Sequence, residues 1–568
     1  MSSDVYGDDA FERAFARAEA QYWPRFLPRA CALLVAAALF CASLTPSLTP
    51  RDPVMQGMMS GLVALIGYEL GTLLCRFWTF MELPRLRGEA LRTARAGLIA
   101  VAFAGCTYCL WRAADWQNAT RETWQLAPVD SAHPLTVLAY ALAIVVAGFV
   151  VFRLLGVVFD LLADWLRRVV PTRVSLALAF AVVVYLVWAI SDGVLIRNAF
   201  RAADASFEAA DLLIEPDIPQ PSDPMKTGSA QSLIAWDEMG RWGRSFVATA
   251  PTIEEISVFH PDAAVQAPVR VYVGRRSGDT AQERADLALQ ELIRVGGFER
   301  KALVVAVPVG TGWMDPGAHD TLDFMLEGDV ATVAVQYSYL TSVLSLLAHP
   351  EYGVEQARVL FDTIYDYWTE LPVDERPTFY VHGLSQGAFN SERTLPLLDM
   401  LGDPIAGAMW AGSPFISPVW QRVRDGREPD STAWRPIYGN SSLARVMNQD
   451  GFEPSVADRR WGPIRLVFLN YGSDAIVAFT FDTAYRRPDW MNAPRAPDVA
   501  EEFKWYPLVT MFQLALDMMI SLQTPGFGHY YIAPDYIDAW AALVEPAGWS
   551  EARADDLREI FEGRGPAF

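Results

Sequence analysis

Long apolar stretches in the first 200 residues constrain the fold of this chain more than any other feature. Five of them follow one another, at about 30–48, 54–75, 96–112, 134–155 and 174–194. Each is close to the roughly 17–25 residues that a membrane-spanning helix needs. We therefore expect an α-helical membrane domain of about five transmembrane helices over residues 29–197, with a separate N-terminal segment at 1–28.

The arginines between these stretches predict the orientation of the helices. Residues 76–95 hold five arginines and residues 167–173 hold three, whereas residues 49–53 and 113–133 hold one each. Arginine and lysine accumulate in cytoplasmic loops, so the first two loops and the N-terminal segment 1–28 are predicted to be cytoplasmic. Five spans from a cytoplasmic N-terminus place the remainder of the chain outside the cytoplasm.

Charge and cysteine content divide the chain near the same boundary. The total charge of -21 consists of about +2 in residues 1–200 and about -23 in the remainder. Such an acidic chain is poorly suited to nucleic-acid binding. All five cysteines lie in the first 110 residues, so the rest of the chain has no thiolate nucleophile. Cys106 and Cys109 form a C-x-x-C pair inside an apolar stretch, where we expect small packing residues and not a redox motif.

The sequence after residue 197 predicts a linker and one α/β domain. Residues 198–225 end in a run rich in proline and acidic residues, which predicts an extended linker before a domain at 226–568. Short apolar runs alternate with helix-like segments, a pattern typical of a mostly parallel sheet with helices on both faces. The apolar runs are 269–273, 302–307, 330–335, 378–382, 407–411 and 465–469, and the helix-like segments are 281–294, 355–370 and 391–401.

A serine motif follows the fourth apolar run. The residues Gly383-Leu-Ser385-Gln-Gly387 form G-x-S-x-G between a predicted strand and a predicted helix. In this context the motif is the nucleophile elbow of the α/β-hydrolase fold, a strained turn that exposes the serine at the edge of the sheet. Ser385 is therefore predicted to be the nucleophile, and the domain to have the α/β-hydrolase fold.

The expected order of residues in this fold is serine, then an acid, then histidine. His529 is the only histidine after Ser385 and lies in a glycine-flanked loop, so it is predicted to be the general base. Asp474 comes just after the sixth apolar run and is predicted to orient His529. Three other aspartates remain possible as the acid, namely Asp489, Asp517 and Asp535.

An oxyanion hole needs backbone N–H groups that face the developing negative charge. We expect one from Gln386 and another from the glycine-containing loop after the second run, at Gly310 or Thr311. Trp313 and Leu384 are candidates to line the substrate pocket. The loop lacks the lysine and hydroxyl residues of a phosphate-binding P-loop. No cofactor and no metal are expected, because serine hydrolysis requires neither.

Two long insertions flank the predicted acid, at 413–463 and 475–525, and each is long enough to form a lid over the site. Within the second, residues 504–522 resemble a methionine-rich helix at the place where a last strand would be expected. Its apolar side chains could line a path for an acyl chain or belong to the core. They are Met511, Leu514, Leu516, Met518 and Met519.

Several further motifs give the chain a resemblance to a known family. They are Pro50–Gln56 before the second apolar stretch, Gly310–Trp313, Gly328–Tyr339, the serine elbow and Arg487–Trp490. Because it has these motifs, the chain resembles a bacterial family of membrane-anchored α/β-hydrolases that carry a multi-span N-terminal region. The resemblance covers nearly the whole chain and implies a location in the bacterial inner membrane. The resemblance also implies a substrate class for some relatives, namely aminoacyl esters of membrane lipids such as phosphatidylglycerol or diacylglycerol.

These observations predict a membrane-anchored serine esterase or lipase-like hydrolase that works through an acyl-serine intermediate. Its multi-pass anchor would hold a periplasmic catalytic domain at the outer face of the cytoplasmic membrane, within reach of a membrane lipid or a cell-envelope ester. Two alternatives remain open. One is transfer of an acyl or glycosyl ester to an envelope polymer, and the other is a non-catalytic sensor or transport module with a hydrolase-like domain. The sequence does not indicate an oligomeric state.

Overall fold

A computed structural model describes residues 30–84, 86, 88–189, 208, 210–215, 217–340, 345, 350–395, 400 and 402–564. The predicted N-terminal segment 1–28, the end of the fifth apolar stretch and the start of the predicted linker lie outside these residues. Two compact units divide the chain. The first comprises Met1–Pro46, Arg51–Ala119 and Ala127–Leu154, and the second comprises Ser47–Pro50, Thr120–Leu126 and Leu155–Phe568.

All five predicted apolar stretches form helices. These helices are α1 (Ala30–Ser43), α2 (Pro53–Phe80), α3 (Gly88–Thr123), α4 (Pro134–Leu166) and α5 (Thr172–Trp188). Three of them, α2, α3 and α4, are long and apolar enough to cross a membrane. The other two have 14 and 17 residues, and 14 helical residues measure only about 21 Å. Of the five spans predicted, the described residues therefore contain three helices of spanning length.

The helix boundaries extend beyond the apolar stretches. Helix α3 has 36 residues, although its apolar stretch is the shortest of the five. The segments that lengthen it are mixed in polarity but contain many alanine, arginine and glutamate residues, which have high helix propensity. Hydrophobicity alone therefore underestimates the length of this helix. The predicted loop at 76–95 is correspondingly short, because α2 continues to Phe80 and α3 begins at Gly88.

One sheet organises the second compact unit. Its eight described strands are β1 (Val269–Val273), β2 (Ala302–Val307), β3 (Val330–Val335), β4 (Thr378–Leu384), β5 (Gly407–Ala411), β6 (Ala444–Asn448), β7 (Gly451–Phe452) and β8 (Arg465–Leu469). Their spatial order is β1-β3-β2-β4-β5-β8-β6-β7. Neighbouring strands are parallel except for the antiparallel pair β6 and β7. The predicted α/β class is confirmed, and all six predicted strands are present.

Strands β6 and β7 were not predicted, because polar residues interrupt the apolar pattern of β6 and because β7 has only two residues. Arg445 lies inside β6, and its guanidinium group lies 3.9 Å from the centre of the Trp461 ring. The side-chain oxygen of Asn448, also in β6, accepts a hydrogen bond from the backbone of Asp450. Both strands come from the insertion at 413–463. That part of the insertion therefore extends the sheet, although we predicted that the insertion could form a lid.

Helices surround the sheet. They are α6 (Gly240–Ala248), α7 (Ile253–Phe259), α8 (Ala281–Arg294), α9 (Pro316–Met325), α10 (Pro350–Glu370), α11 (Gln386–Glu392), α12 (Pro418–Asp425), α13 (Ala475–Ala478), α14 (Val509–Ile520), α15 (Ala533–Val544) and α16 (Glu551–Arg564). Short 3-10 helices lie at Gly297–Glu299, Pro454–Val456, Phe481–Ala484 and Asp489–Met491.

These helices agree with the sequence pattern in most places. Helix α8 has the predicted bounds, and a capping box between Thr280 and Glu283 fixes its start. The predicted helix at 391–401 is not continuous, because α11 ends at Glu392 and residues 393–395 are not helical; residues 396–399 and 401 lie outside the described part of the chain. Helix α14 occupies the predicted methionine-rich stretch. The two described strands beyond the six predicted ones are β6 and β7, which precede β8 in the chain.

Candidate active site

Ser385 lies in a sharp turn between strand β4 and helix α11. Its backbone angles are φ 57° and ψ -123°, a conformation that a residue with a Cβ atom rarely adopts and that stores strain. The N–H group of Ser385 donates to the carbonyl oxygen of Ala411, at 2.9 Å, at the end of the neighbouring strand β5. The turn therefore has the geometry expected of a nucleophile elbow.

The two glycines of the motif are required by close backbone contacts. A Cβ atom at Gly383 would lie 2.4 Å from the carbonyl carbon of Gly387. A Cβ atom at Gly387 would lie 2.1 Å from the carbonyl oxygen of Val307, the last residue of β2. Any side chain at either position would push strand and helix apart. The spacing of the motif thus reflects how tightly the turn around Ser385 is packed.

His529 and Asp474 form a buried pair. The His529 Nδ1 atom lies 2.6 Å from the Asp474 Oδ2 atom, and the two side chains are 5% and 0% exposed. A carboxylate can only accept a hydrogen bond, so the Nδ1 atom of His529 carries a proton and its N–H group donates a hydrogen bond to Asp474. The other oxygen, Oδ1, accepts the backbone N–H of Ile476 at 2.8 Å. This arrangement leaves Nε2 of His529 as the basic nitrogen.

The other candidate acids have different partners. Asp489 forms an exposed ion pair with Arg427. Asp517 accepts hydrogen bonds from the Ser47 hydroxyl and from the backbone N–H of Leu48. Asp535 accepts a hydrogen bond from the hydroxyl group of Tyr471. Of the four aspartates considered, Asp474 is the one bonded to His529.

Gly412 brings the serine and histidine segments together. It follows Ala411, the residue whose carbonyl oxygen binds Ser385. A Cβ atom at Gly412 would lie 2.4 Å from Cε1 and 2.9 Å from Nδ1 of His529. The imidazole therefore packs directly against the backbone next to the elbow. Its Nε2 atom is buried and has no hydrogen-bond partner among the described residues, which leaves it available to a hydroxyl group or a substrate.

Tyr531 is a further residue of the candidate site, and no sequence motif predicted it. Its hydroxyl group donates to the same Oδ2 atom of Asp474 that receives His529, at 2.7 Å. The Tyr531 ring stacks on Tyr471, with ring centres 4.3 Å apart. The available signal was its position two residues after His529. Tyr531 thus adds a third hydrogen bond, beside those from His529 and Ile476, that holds the Asp474 carboxylate in place.

The predicted oxyanion loop follows β2 and is tightly folded. The N–H of Gly312 donates to the carbonyl of Val309 at 2.8 Å, and the φ of +92° at Gly312 explains the glycine there. The Gln336 side chain donates to the carbonyl of Thr311 at 3.1 Å. The first bond closes a turn within the loop, and the second connects the loop to Gln336.

This loop begins beside the elbow. Gly387 packs against the carbonyl oxygens of Val307 and Pro308, which lead into the predicted donors Gly310 and Thr311. Gln386 is the first residue of α11, and the N–H groups of a first helical turn have no acceptor within the helix. Its side-chain amide donates to the hydroxyl of Ser345 at 3.2 Å. The loop and the helix start therefore adjoin, as an oxyanion hole requires.

A cavity of about 610 Å³ lies at the carboxyl ends of β1 and β3. Ser345 is part of its wall and connects it to Gln386. The charged side chains on the wall carry both signs: Arg275 and Arg276 are basic, and Glu208 and Asp279 are acidic. Tyrosines contribute the remaining large surfaces, namely Tyr337, Tyr339 and Tyr352. Such a wall suits a polar, charged group better than a hydrocarbon chain.

The two predicted pocket residues are packed in the hydrophobic core. Trp313 and Leu384 are each 8% exposed and belong to the main core cluster. Neither is among the residues that line the 610 Å³ cavity. On α14, Leu514 is fully buried in a second cluster around Phe479 and Phe503, whereas Met519 is 71% exposed.

His382, which precedes the motif, is held away from solvent. Its Nδ1 atom lies 2.9 Å from the carbonyl oxygen of Met409, and burial lowers the pKa of its imidazole to about 4. The ring packs against Trp540 with centres 5.6 Å apart. His382 is thus a neutral core residue at physiological pH.

Comparison with known proteins identifies two matching family models. Residues 269–557 match the model described as "Alpha/beta-hydrolase family", and residues 44–251 match the one described as "Alpha/beta-hydrolase family N-terminus". No curated protein and no solved structure matches the chain. The first match contains the serine turn, the buried His–Asp pair and all eight strands of the sheet.

Proposed function

The chain belongs to this α/β-hydrolase family, and on that premise we propose that it is a serine ester hydrolase anchored in the membrane. The observation that carries the proposal is the hydrogen bond of 2.6 Å between His529 and Asp474, packed against the backbone next to the strained Ser385 turn. A serine, a histidine with a free Nε2 and a buried carboxylate are the parts that acyl transfer requires.

In the proposed reaction the Ser385 oxygen attacks the carbonyl carbon of an ester, and Nε2 of His529 takes the hydroxyl proton. Backbone N–H groups of Gln386 and of the Gly310–Thr311 loop stabilise the resulting oxyanion. When the intermediate collapses, the ester C–O bond breaks and the leaving alcohol takes the proton from His529. Water then attacks the acyl-serine with His529 again as base, and the acid product leaves.

The substrate we propose is an ester with a charged polar group close to the scissile bond. The mixed charges of Arg275, Arg276, Glu208 and Asp279 around the 610 Å³ cavity support this assignment. A lipid or cell-envelope ester fits it, and an aminoacyl lipid fits it well, because its ammonium and phosphate groups would find opposite charges. The three helices of spanning length support an anchor that holds such an enzyme at a membrane. We propose that the catalytic domain lies at the outer face of the cytoplasmic membrane.

Covalent labelling of the full-length protein with a fluorophosphonate probe tests the reaction class. We expect the wild-type protein to be labelled, Ser385→Ala to be unlabelled, and Ser442→Ala to be labelled normally. Ser442 is a suitable control because its hydroxyl bonds only locally, to Asn440. Absence of wild-type labelling, or equal labelling of Ser385→Ala, would contradict the proposal and favour a non-catalytic module.

Product analysis tests the substrate and separates hydrolysis from transfer. Purified protein in vesicles that contain aminoacyl-phosphatidylglycerol should release the amino acid, and Ser385→Ala should not. Cleavage of other esters with the aminoacyl lipid left intact would exclude this substrate. If an added alcohol acceptor captures most of the acyl group, the enzyme is a transferase and not a hydrolase.

A further inference from the structure

Two short segments of the N-terminal region belong to the same compact unit as the hydrolase sheet. They are Ser47–Pro50, between α1 and α2, and Thr120–Leu126, at the end of α3. The hydroxyl group of Thr120 donates to the carbonyl oxygen of Ser47 at 3.4 Å, which joins the two segments to each other. Both segments contact the part of the chain that carries His529.

The second segment contacts the His529 loop through Trp124. The Trp124 ring stacks on Phe527 with ring centres 5.4 Å apart and an angle of 20° between the planes. Trp124 is only 1% exposed, so this contact is buried. A Cβ atom at Gly528 would lie 3.1 Å from Cη2 of Trp124. Trp124 therefore touches the two residues that directly precede His529.

The first segment contacts the same loop through helix α14. The Asp517 carboxylate accepts hydrogen bonds from the Ser47 hydroxyl at 3.0 Å and from the Leu48 N–H at 3.1 Å. Asp517 is fully buried, and a buried carboxylate is held in place by such bonds. One turn further along, the carbonyl oxygen of Ser521 accepts the backbone N–H of His529 at 2.9 Å.

These contacts converge on a loop with little regular structure of its own. Gly528 has a φ of +62°, and its N–H donates to the Ser473 hydroxyl at 2.9 Å. Ser473 is the neighbour of Asp474 in sequence. The loop is thus held by the buried residues Trp124 and Asp517 and also by Ser473, in the turn that carries Asp474.

We propose that Trp124 and Asp517 are positioning residues for His529, so that two segments of the N-terminal region help to build the catalytic geometry. The proposal rests on the hydrolase function argued above. The N-terminal region then serves catalysis as well as anchoring. A shift of about 1 Å in a catalytic group can cost about 10²-fold in rate, so loss of the Trp124 stack should slow the reaction without weakening ligand binding.

Inactivation kinetics of the full-length protein with a fluorophosphonate test this proposal, because they separate the limiting rate from the affinity. Trp124→Leu keeps apolar bulk but removes the ring stack, whereas Trp124→Phe retains a ring that can stack on Phe527. We expect Trp124→Leu to lower the limiting rate about 10- to 100-fold at unchanged affinity, and Trp124→Phe to restore most of it. Asp517→Asn, which replaces one acceptor oxygen by a donor, should lower the rate in the same way.

Trp368→Ala is the matched control. Trp368 is a buried tryptophan that packs on Phe379, near the amino end of β4 and therefore at the opposite end of the strand from Ser385. Its replacement should lower the thermal unfolding temperature and leave the limiting rate near that of the wild type.

The outcomes are distinguishable. An unlabelled wild-type protein would overturn the proposed function itself. A labelled wild type with Trp124→Leu and Asp517→Asn at the wild-type rate would overturn only the positioning role. If Trp124→Leu does not fold, the positioning role is tested by comparing the limiting rates of Asp517→Asn and Trp368→Ala. The positioning role would also be contradicted if the limiting rate fell in proportion to the loss of thermal stability in every variant, including Trp368→Ala.

Discussion

The Nδ1 atom of His529 lies 2.6 Å from the Oδ2 atom of Asp474, although the two residues are 55 positions apart in the chain. The same oxygen also receives the hydroxyl group of Tyr531, at 2.7 Å. A fully buried carboxylate with these two donors and a backbone N–H has its orientation set by the protein. In the proposed reaction this carboxylate would keep its hydrogen bond with His529 and stabilise the imidazolium.

Asp474→Asn should lower the turnover of an ester substrate about 10⁴-fold, because an amide favours the wrong tautomer of His529. The fold should persist, since asparagine has nearly the same shape and can still accept one hydrogen bond. The measurement is the rate of ester hydrolysis at saturating substrate, beside a thermal unfolding curve. Asp489→Asn, at an exposed ion pair with Arg427, should have nearly wild-type activity. Equal losses in both variants would exclude Asp474 as the orienting acid.

Tyr531→Phe should lower turnover about tenfold, since a hydrogen bond to a charged group contributes about 1.5–3 kcal/mol and part of that holds the carboxylate in place. The ring and its stack on Tyr471 remain. Turnover and the Michaelis constant should be measured separately, and only turnover should change. Tyr485→Phe, at a ring that is 76% exposed, is the control. Unchanged turnover in Tyr531→Phe would mean that His529 and the backbone suffice to orient Asp474.

Gly412→Ala should slow labelling of Ser385 by at least about tenfold. The new methyl group would lie 2.4 Å from His529 Cε1, so the imidazole must move. Gly439→Ala provides a matched control, because Gly439 has a similar positive φ, 53° against 56°, and no heavy atom beyond Gly439 and its two chain neighbours lies within 4 Å of its Cβ position. Both variants carry the strain of about 1–2 kcal/mol of a left-handed residue. Similar labelling rates in the two would contradict the placement of His529 against Gly412.

Glu392→Gln should make stability less dependent on pH. Burial raises the pKa of the Glu392 carboxyl to about 7, although three hydrogen bonds, from Ser413, Val419 and Trp420, oppose this shift. Between pH 4.5 and 7 the folded protein keeps this proton and the unfolded chain releases it, so stability falls as pH rises through this range. Below pH 4.5 both states are protonated, and the contribution is fully present.

The thermal unfolding temperature of wild type and Glu392→Gln, measured from pH 4.5 to 8, checks this expectation. Each pH unit is worth about 1.4 kcal/mol per group, so the curves of the two proteins should converge or cross as pH rises. Burial also raises the pKa of Asp315 and Asp535 to about 7, so Glu392→Gln should retain part of the fall. Glu254→Gln, at an exposed position, should follow the wild type. Parallel curves for Glu392→Gln and wild type would show that Glu392 does not titrate here.

Local patterns of the sequence predict much of the fold. Strands β1 to β5 and β8 are buried on both faces of the sheet, so each of them appears in the sequence as a continuous apolar segment. The elbow is also local, because the glycines at 383 and 387 are needed by contacts within one turn and the adjoining strand. Ser385 and His529 could be selected from the motif, from chain order and from the scarcity of histidine.

Other features depended on residues far apart in the chain. Strand β6 was missed because Arg445 makes its pattern polar, and only the ring of Trp461 and the backbone around it make the burial of that arginine possible. Helix α3 was underestimated because its polar ends carry no hydrophobic signal. Asp474 could be ranked first among four aspartates by its position, but only packing shows which of them bonds to His529.

By itself, the sequence determined the apolar N-terminal helices, the parallel sheet and the serine turn, because each depends on burial and backbone geometry within a few residues. Only the tertiary structure decided the partners of His529. Asp474 and Gly412 contact it from separate elements, and Trp124, about 400 residues earlier in the chain, stacks on Phe527 in the same loop. Tyr531, two residues after His529, donates to the same oxygen of Asp474. Such contacts follow from how the elements pack against one another, which no local pattern of residues records.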